Sequence, residues 1–532
     1  MILSHRLRAR AALAAATLCC SLSAAAVTPS DYAMPYVSNA DESEVFKGIT
    51  LVNSANFAQT SQLVAATVAV GTPHIVNGAD VDGTGLHDTR PHTLVWAQAN
   101  RWMRAPLRGG LAPTPVRFSN EAAANTTCEF AAMVIYRDFA APLTSALYYQ
   151  LPGTNASCGD EDDVIKRVDI DDASGTAPTT TALENLSLHP IYKTDGKLAA
   201  IYTLQGSSVL RIASDLTTIT TVRAGVSQFE VIGSLPDTTV IALMDGNLER
   251  IRPAGTVYAN PLRRPKDGYT IEQAVLHQGE VFFTEDAQAP GEAIQTRVTR
   301  IAANAASPAV LMLTLKQAAF LSGFTTGRMI YTVGTAEDPE MSLYSFPKDG
   351  SKGSAPQTRI HKAVSPNFIT VMATHDDNVF FNVTGFGFTP EFEIIDNQIA
   401  LVKTDLAAAV KNYGAHSQFL GGQITDSGDG ALEEQETYAR LLLGTKGVSG
   451  SFGFGLMGPK LHSLDPATVQ ATQITDLADH FVTLPAFGFG AGSIGGLLNF
   501  ENEQGDVYAY DLVGLRFRLL SDGTARNEFP IF

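Results

Sequence analysis

The sequence predicts an all-β protein assembled from a repeated strand unit. Short apolar runs of about four to eight residues, rich in β-branched and aromatic side chains, alternate with clusters of turn residues. Glycine and proline are frequent, at 45 and 26 of 532 residues, which disfavours long helices. Apolar residues make up 45% of the chain and charged residues 17%, so the chain can bury a substantial core.

Residues 1–26 are expected to form a secretory signal peptide. Three arginines precede an apolar stretch that ends in small residues before Val27. A lipoprotein signal ending at Cys19 or Cys20 is the disfavoured alternative, because these cysteines lack the small residue that should precede the site. No later apolar run reaches the roughly 18 residues needed to cross a bilayer. We therefore expect an exported protein, periplasmic or secreted, that does not span a membrane.

The net charge of the chain indicates which classes of partner it can bind. Acids outnumber bases 54 to 37, a formal net charge of −17, and loss of the three signal-peptide arginines would take it to −20. Such a surface repels phosphate backbones, so no nucleic-acid partner is expected.

Cys128 and Cys158 would remain after cleavage of the signal peptide, and a single cysteine pair in an exported chain predicts one disulfide. Two free thiols are the alternative.

A hairpin unit recurs along the chain. Four copies of an alternating strand that ends in a Pro/Gly turn lie at residues 103–110, 147–153, 248–255 and 343–350. A more continuous apolar strand precedes each copy, another strand lies further upstream, and a fourth follows the turn. Four antiparallel strands repeated about every 40 to 55 residues predict the blade of a β-propeller.

This pattern resembles the generic class of secreted β-propellers with four-stranded blade repeats. The resemblance extends over residues 94–524 and identifies no particular family. Nine candidate hairpins start near residues 94, 131, 198, 239, 280, 328, 378, 450 and 505. They predict eight blades, with seven as the second choice. Tandem β-sandwiches are the competing fold, which the hairpin repetition disfavours.

Domain organisation follows from the same repeats. The propeller is expected to occupy residues 92–532. Residues 27–91 are less regular and either close the propeller ring or form a separate N-terminal piece. One helix is predicted over residues 405–413, with Thr404 as its N-cap and Gly414 as its stop.

Acidic loops predict a binding face. In a propeller, the loops between second and third strands emerge on the same face as the segments that join successive blades. Three such loops, at 285–292, 334–341 and 384–398, and the joining segment 425–437 hold fourteen acids and no bases. Such a face would attract a cationic partner or ligand, although ordinary solvated loops are the alternative. The candidate ligand-site residues are Glu285, Asp286, Glu337, Asp338, Glu391 and Glu393.

Calcium is the specific form of this hypothesis, because hard cations need several oxygen ligands on a sharply turned backbone. The candidate metal ligands are Asp80, Asp82 and Asp88 in one loop, and Asp429 and Glu436 in another. An Asp-Gly hairpin turn is the competing explanation of the first loop. Neither loop follows the full EF-hand spacing.

No specific catalytic motif is present in the sequence. We therefore expect a monomeric exported binding or interaction protein with an unknown ligand. One alternative is a propeller hydrolase or lyase that acts on an extracellular polymer, with carboxylates and a histidine gathered from separate blades. Another is a structural component of the cell envelope. The enzyme alternative predicts carboxylates with perturbed pKa values that converge at the centre of the propeller.

Overall fold

A computed structural model describes the greater part of the chain. The described residues are 33–38, 47–53, 59–71, 73–76, 93–99, 101–107, 111–119, 132–138, 144–154, 163–171, 177–288, 293–335, 338–351, 357–365, 367–388, 394–404, 409–426, 437–449, 455–476, 481–483, 497–501, 507–511, 516–521 and 528–530. The signal segment, Cys128 and Cys158 lie outside them, so the signal peptide, export and the disulfide stay predictions.

The described residues form strands throughout. The first eleven are β1 (Ala33–Ser38), β2 (Lys47–Asn53), β3 (Thr60–Ala69), β4 (His74–Val76), β5 (Thr93–Gln98), β6 (Arg101–Pro106), β7 (Val116–Arg117), β8 (Ala132–Tyr136), β9 (Ser145–Leu151), β10 (Val164–Asp169) and β11 (Thr179–Thr180). The next eleven are β12 (His189–Tyr192), β13 (Leu198–Gln205), β14 (Ser208–Ala213), β15 (Ile219–Ala224), β16 (Phe229–Ser234), β17 (Val240–Met244), β18 (Asn247–Ile251), β19 (Thr270–His277), β20 (Glu280–Ala287), β21 (Gln295–Ala302) and β22 (Val310–Leu315).

The remaining strands continue the series. They are β23 (Ala319–Phe324), β24 (Arg328–Val333), β25 (Glu340–Pro347), β26 (Thr358–Val364), β27 (Asn367–His375), β28 (Asn378–Phe388), β29 (Ile394–Lys403), β30 (Val410–Ala415), β31 (Gln418–Asp426) and β32 (Thr437–Thr445). The last nine are β33 (Val448–Ser449), β34 (Gly455–Met457), β35 (Lys460–Asp465), β36 (Gln470–Asp476), β37 (Phe481–Thr483), β38 (Leu497–Glu501), β39 (Val507–Asp511), β40 (Arg516–Ser521) and β41 (Glu528–Pro530).

The sheets follow one another along the chain. Among the described residues there are eleven antiparallel sheets, eight of four strands and three of three strands, and most are simple meanders such as β19-β20-β21-β22. The first strands of successive sheets, β12, β16, β19, β23 and β27, contact one another, as the inner strands of a propeller do. The all-β class, the four-stranded repeat and the propeller fold are therefore confirmed. The number of blades stays a prediction.

Predicted hairpin starts near residues 198, 239, 280, 328 and 378 coincide with the second strands of five consecutive sheets. These second strands are the most apolar because they are covered on both faces. In β17, for example, all five residues are buried. Side chains from adjacent sheets interleave into separate cores, such as the one that joins Ile241 and Leu262 to Phe283. Burial of this kind contributes roughly 25 cal/mol per Å² of apolar surface.

The two ends of the chain meet in one sheet. Strand β41 pairs antiparallel with β1, with Val37 opposite Phe529, so the sheet order is β3-β2-β1-β41. The C-terminal strand therefore supplies the fourth strand of a sheet that is otherwise N-terminal.

The helix predicted over residues 405–413 is wrong for its second half. Residues 405–408 lie outside the described part of the chain, and Val410–Ala415 form β30, the outer strand beside β29. The pairing slips between Ile399 and Leu401, which makes a bulge. As a result Val410 and Tyr413 are half-buried while the two residues between them are exposed, a three-residue spacing that imitates a helix.

Candidate functional site

Four of the inner strands each contain a β-bulge at an equivalent position, and the candidate site lies near these bulges. In β16, β19, β23 and β27 the pairing with the second strand skips one residue, at Ile232, Glu272, Ser322 and Met372. Two residues before each bulge lies an equivalent position on the inner edge of its sheet. We call these four residues the inner rim: Glu230, Thr270, Phe320 and Thr370. Thr270, Phe320 and Thr370 are exposed, and Glu230 is half-buried.

Three carboxylates lie at or beside the inner rim. Glu272 and Asp286 lie near one another in the β19-β20-β21-β22 sheet, whereas Glu230 belongs to the preceding sheet. Glu230 belongs to it, Glu272 is the bulged residue of β19, and Asp286 is paired across the strands with Thr270. The Thr270 hydroxyl donates to Glu272 Oε1 at 2.5 Å. Among the described residues, no lysine or arginine lies within ion-pair distance of any of the three.

Burial disfavours the charged form of two of these carboxyl groups. It raises the pKa of Asp286 above its ordinary value, and the negative charge of Glu272 acts in the same direction, while the Thr296 hydroxyl opposes both. Burial also raises the pKa of Glu230. A nearby positive charge would relieve this cost, because it favours the ionised carboxylate.

Polar atoms next to Asp286 lack partners. Asp286 Oδ1 and the hydroxyl of Thr284 are buried and make no hydrogen bond with any described residue. Thr284 is 1% exposed, and it lies two positions before Asp286, on the same face of β20. A buried polar atom without a partner costs about 1–3 kcal/mol, so this side of β20 favours a ligand that forms hydrogen bonds.

A side-chain clamp connects this site to the next sheet. The Gln273 amide donates to the Leu321 carbonyl at 3.0 Å and accepts from the Leu321 N–H at 2.7 Å. Glu272 precedes Gln273, and Phe320 precedes Leu321. The clamp therefore joins β19 to β23. Leu321 faces the β19 sheet, so the side chain of Phe320 lies on the opposite face of its own sheet.

The structure places Glu285 elsewhere, so its prediction as a ligand-facing carboxylate is wrong. Glu285 is fully buried on the opposite face of β20 from Asp286, where it pairs with Arg263 at 3.3 Å and Arg297 at 3.0 Å. It also accepts a hydrogen bond from the backbone N–H of Lys266 at 2.9 Å. Two guanidinium groups thus neutralise one carboxylate, and this pair of contacts fixes the segment before β19 onto the sheet.

Asp338 has a local structural role. Its carboxylate accepts hydrogen bonds from the N–H of Thr335 at 2.7 Å and from the hydroxyl of the same residue at 3.2 Å, which closes the loop before β25. The other loop candidates, Glu337, Glu391 and Glu393, lie outside the described residues. The single acidic face that the loops predict therefore stays a prediction, and Asp286 is the member that lies near Glu272.

The calcium hypothesis is not tested. Asp80, Asp82, Asp88, Asp429 and Glu436 all lie outside the described part of the chain. Within that part, no group of three or more histidine, cysteine, aspartate or glutamate side chains could hold a metal ion.

Sequence reasoning missed Glu230, Glu272 and Thr284 because it looked for a site in loops. These three side chains lie within strands, and the bulge at Glu272 depends on pairing that a single sequence does not display. One signal was available. Glu230 and Glu272 are acids inside strands that are otherwise mostly apolar, which is unusual unless the side chain reaches a polar edge.

No known protein family and no curated protein matches this sequence. Solved structures do resemble it. Dipeptidyl peptidase 4 of Porphyromonas gingivalis is 9% identical over 74% of this chain and 59% of that protein, with a TM-score of 0.39. The β-propeller domain of the Trilobed protease from Pyrococcus furiosus is 10% identical over 63% of this chain and 95% of that domain, with a TM-score of 0.31.

An oligogalacturonate lyase in complex with manganese is 10% identical over 58% of this chain and 69% of that protein, with a TM-score of 0.29. The chain spans about half the length of some peptidases it resembles, for example 53% of oligopeptidase B from Leishmania major. The propeller fold class rests on the sheet order and the inner-strand contacts of this chain.

In the described residues, no helix is long and apolar enough to cross a membrane.

Proposed function

We propose that this chain is a binding protein whose inner rim takes a positively charged ligand. The observation that carries the proposal is the pair of neighbouring carboxylates Glu272 on β19 and Asp286 on β20, with which no lysine or arginine of the described residues forms an ion pair. Carboxylates held near one another in a partly desolvated site attract cations, since the ligand charge offsets both their repulsion and their burial.

The opposite face of β20 supports the same assignment. There the chain supplies its own cations, Arg263 and Arg297, to the buried Glu285. Asp286, the next residue, pairs with no lysine or arginine among the described residues. A structural carboxylate and a ligand-binding carboxylate would differ in this way, because only the second must remain available to a partner.

The test is isothermal titration of the full chain at about 0.15 M salt, where screening suppresses diffuse attraction to an acidic protein. Two probes are used, spermidine and calcium chloride. We expect at least one to bind, and the double variant Glu272→Gln/Asp286→Asn to raise its dissociation constant at least about tenfold, which corresponds to about 1.4 kcal/mol.

A matched control removes the same charge at the other end of a sheet. Asp376→Asn/Asp377→Asn alters the turn after β27, about 20 Å from the rim position Thr370 at roughly 3.3 Å per residue. This control should change the dissociation constant less than about twofold. The proposal fails if neither probe binds, or if both double variants weaken binding equally.

The hydrolase or lyase alternative draws on the same groups. The raised pKa of Asp286 suits a general acid, and Glu272 is the neighbouring carboxylate that could act as a base. The chain shows no further group in a catalytic arrangement with them, so binding is the function that the geometry supports best within the described residues.

A further inference from the structure

The β16-β17-β18 sheet has three strands, and the segment that follows β18 lies where a fourth strand would be. It contacts β18 through two isolated bridges, Leu248 with Arg263 and Ile251 with Val257. Residues 250–266 hold five bases and no acid, in a chain whose acids outnumber its bases 54 to 37. The outer edge of this sheet is therefore locally basic on an acidic protein.

Two arginines at the start of this segment stack on one tyrosine ring. The Cζ atom of Arg250 lies 4.3 Å from the centroid of the Tyr258 ring, and that of Arg252 lies 4.0 Å from it. The N–H of Tyr258 donates to the Arg250 carbonyl at 3.0 Å, which holds the ring opposite the end of β18. The ring thereby keeps two mutually repelling guanidinium groups close together. We call these three residues the arginine–tyrosine site.

The described chain neutralises neither guanidinium group of the arginine–tyrosine site. No described aspartate or glutamate forms an ion pair with Arg250 or Arg252. Each donates from Nη1 to a backbone carbonyl, Arg250 to Asn304 at 3.1 Å and Arg252 to Val257 at 3.0 Å. The Nη2 atoms bind no described residue, and both side chains are half-buried. Two neighbouring cations with unused donors favour an anion that accepts from both.

Other arginines of these sheets differ in this respect. Arg263 and Arg297 share the carboxylate of Glu285, and Arg223 pairs with Glu249 at 3.1 Å. The chain thus supplies carboxylates to arginines that join one sheet to the next. Among its described residues it supplies none to the two that share a tyrosine ring, so that pair remains available to a ligand.

The arginine–tyrosine site lies away from the carboxylates of the proposed cation site. Arg250 binds the carbonyl of Asn304, just after β21 ends, whereas Asp286 is paired with Thr296 near the beginning of β21. The length of β21 separates the two places, about 20 Å at roughly 3.3 Å per residue. A cation at one site and an anion at the other therefore would not compete.

We infer that the arginine–tyrosine site binds the phosphate group of a small ligand, independently of the proposed function. A phosphate group carries a charge of about −1.5 to −2 and three acceptor oxygens, so it can accept from Arg250 and Arg252 together. A carboxylate has one charge and two oxygens in one plane. The formal net charge of −17 opposes a long polyanion, which is why the ligand is small.

The test is isothermal titration of the full chain at about 0.15 M salt with three probes. Inorganic pyrophosphate and methyl phosphate distinguish a free phosphate from a phosphate ester, and acetate tests a carboxylate. We expect at least one phosphate probe to bind, and Arg250→Gln/Arg252→Gln to raise its dissociation constant at least about tenfold. Tyr258→Leu should raise it about threefold or more, whereas Tyr258→Phe keeps the ring and should bind as the parent does.

A matched control removes the same charge from the other end of the segment. Arg264 and Lys266 are exposed, and Arg264→Gln/Lys266→Gln should change the dissociation constant less than about twofold. The site is overturned if neither phosphate probe binds, or if the two double variants weaken binding equally. Acetate that binds as tightly as the phosphate probes would overturn the ligand class.

A second variant covers the case in which Arg250→Gln/Arg252→Gln does not fold. Arg250→Lys/Arg252→Lys keeps both charges and removes the planar forks, so it should weaken phosphate binding about threefold to tenfold. Thermal unfolding of each variant without ligand should match that of the parent, which attributes the loss to the contact. Unchanged binding in the lysine variant would count against recognition by the two guanidinium groups.

Discussion

Asp286 shows at the scale of one residue what a binding site costs the fold. Its carboxyl group is half-buried, has an unpaired oxygen and lies near the charge of Glu272, all of which disfavour ionisation. Because its pKa is raised in the folded state, folding favours the protonated form. The cost is absent below the ordinary pKa of aspartate, near 3.9, and appears as pH rises from there through the raised value.

Because ionisation of Asp286 is less favourable in the folded protein than in the unfolded one, its removal should change the free energy of unfolding in a pH-dependent way. Asp286→Asn removes the ionisable group, so we expect the variant to be more stable than the parent at pH 7 and to lose that advantage near pH 3. Urea unfolding at the two pH values measures the difference.

Asp338→Asn is the control, because that carboxylate accepts hydrogen bonds within its own loop and its removal should not stabilise the protein. A variant of Asp286 that is less stable than the parent at pH 7 would contradict the argument.

Adjacent residues also show where sequence reasoning stops. Glu285 and Asp286 are two acids at the end of one strand, and composition treats them alike. Strand alternation sends them to opposite faces, one toward Arg263 and Arg297 and the other toward Thr270. Arg263 and Arg297 lie 22 and 12 residues from Glu285, so only the fold brings them together.

At the scale of elements, side-chain amides join neighbouring sheets. Asn382 on β28 donates to the Phe419 carbonyl at 3.1 Å and accepts from the Phe419 N–H at 2.9 Å, as Gln273 does with Leu321. Each amide thereby satisfies two backbone groups of the next inner strand. Asn382 and Phe419 are both buried, so no solvent can replace the bonds.

Asn382→Leu should therefore lower the free energy of unfolding by about 2–4 kcal/mol. The leucine side chain has the same branching as asparagine, but it leaves the buried N–H and carbonyl of Phe419 without these hydrogen bonds. The midpoint of urea unfolding measures this loss. Asn260→Leu, at an exposed position, should change stability by less than about 0.5 kcal/mol. Equal effects of the two substitutions would show that the Asn382 clamp contributes nothing.

Strands and turns were predictable from sequence where local chemistry decides them. The turn after β27 follows from His375-Asp376-Asp377-Asn378, and Asp376 indeed adopts a positive φ of 50°. The false helix at 405–413 marks the limit. A bulge in β30 gives a burial period of three, and only the presence of β29 as a partner identifies it as a strand.

At the scale of the whole molecule, the blade repeat could be predicted from the sequence because successive sheets are built from the same kind of hairpin. The site could not be predicted, because its residues come from β19 and β20, and their pairing across the bulge at Glu272 is not displayed by a single sequence. The formal net charge of −17 indicated a cationic partner but no location. Glu272 and Asp286 supply a candidate location because they lie near one another without a lysine or arginine partner among the described residues.

Strand β41 joins the N-terminal sheet through three paired residues. Val37 and Phe529 are directly opposed there, and antiparallel partners lie about 4.5–5.5 Å apart at Cα, within the range for a disulfide. We expect Val37→Cys/Phe529→Cys to form a disulfide that stabilises the protein by about 3–5 kcal/mol, because it closes a loop of almost the whole chain.

Thermal unfolding of oxidised and reduced samples of the double variant, the parent and Val37→Cys alone measures this effect and subtracts any contribution from the natural cysteines. The oxidised double variant alone should melt higher than its reduced form beyond the shift seen in the parent. Failure to form the bond would mean that β1 and β41 are not neighbours in solution. Formation without a rise in melting temperature would mean that unfolding begins elsewhere before this sheet separates.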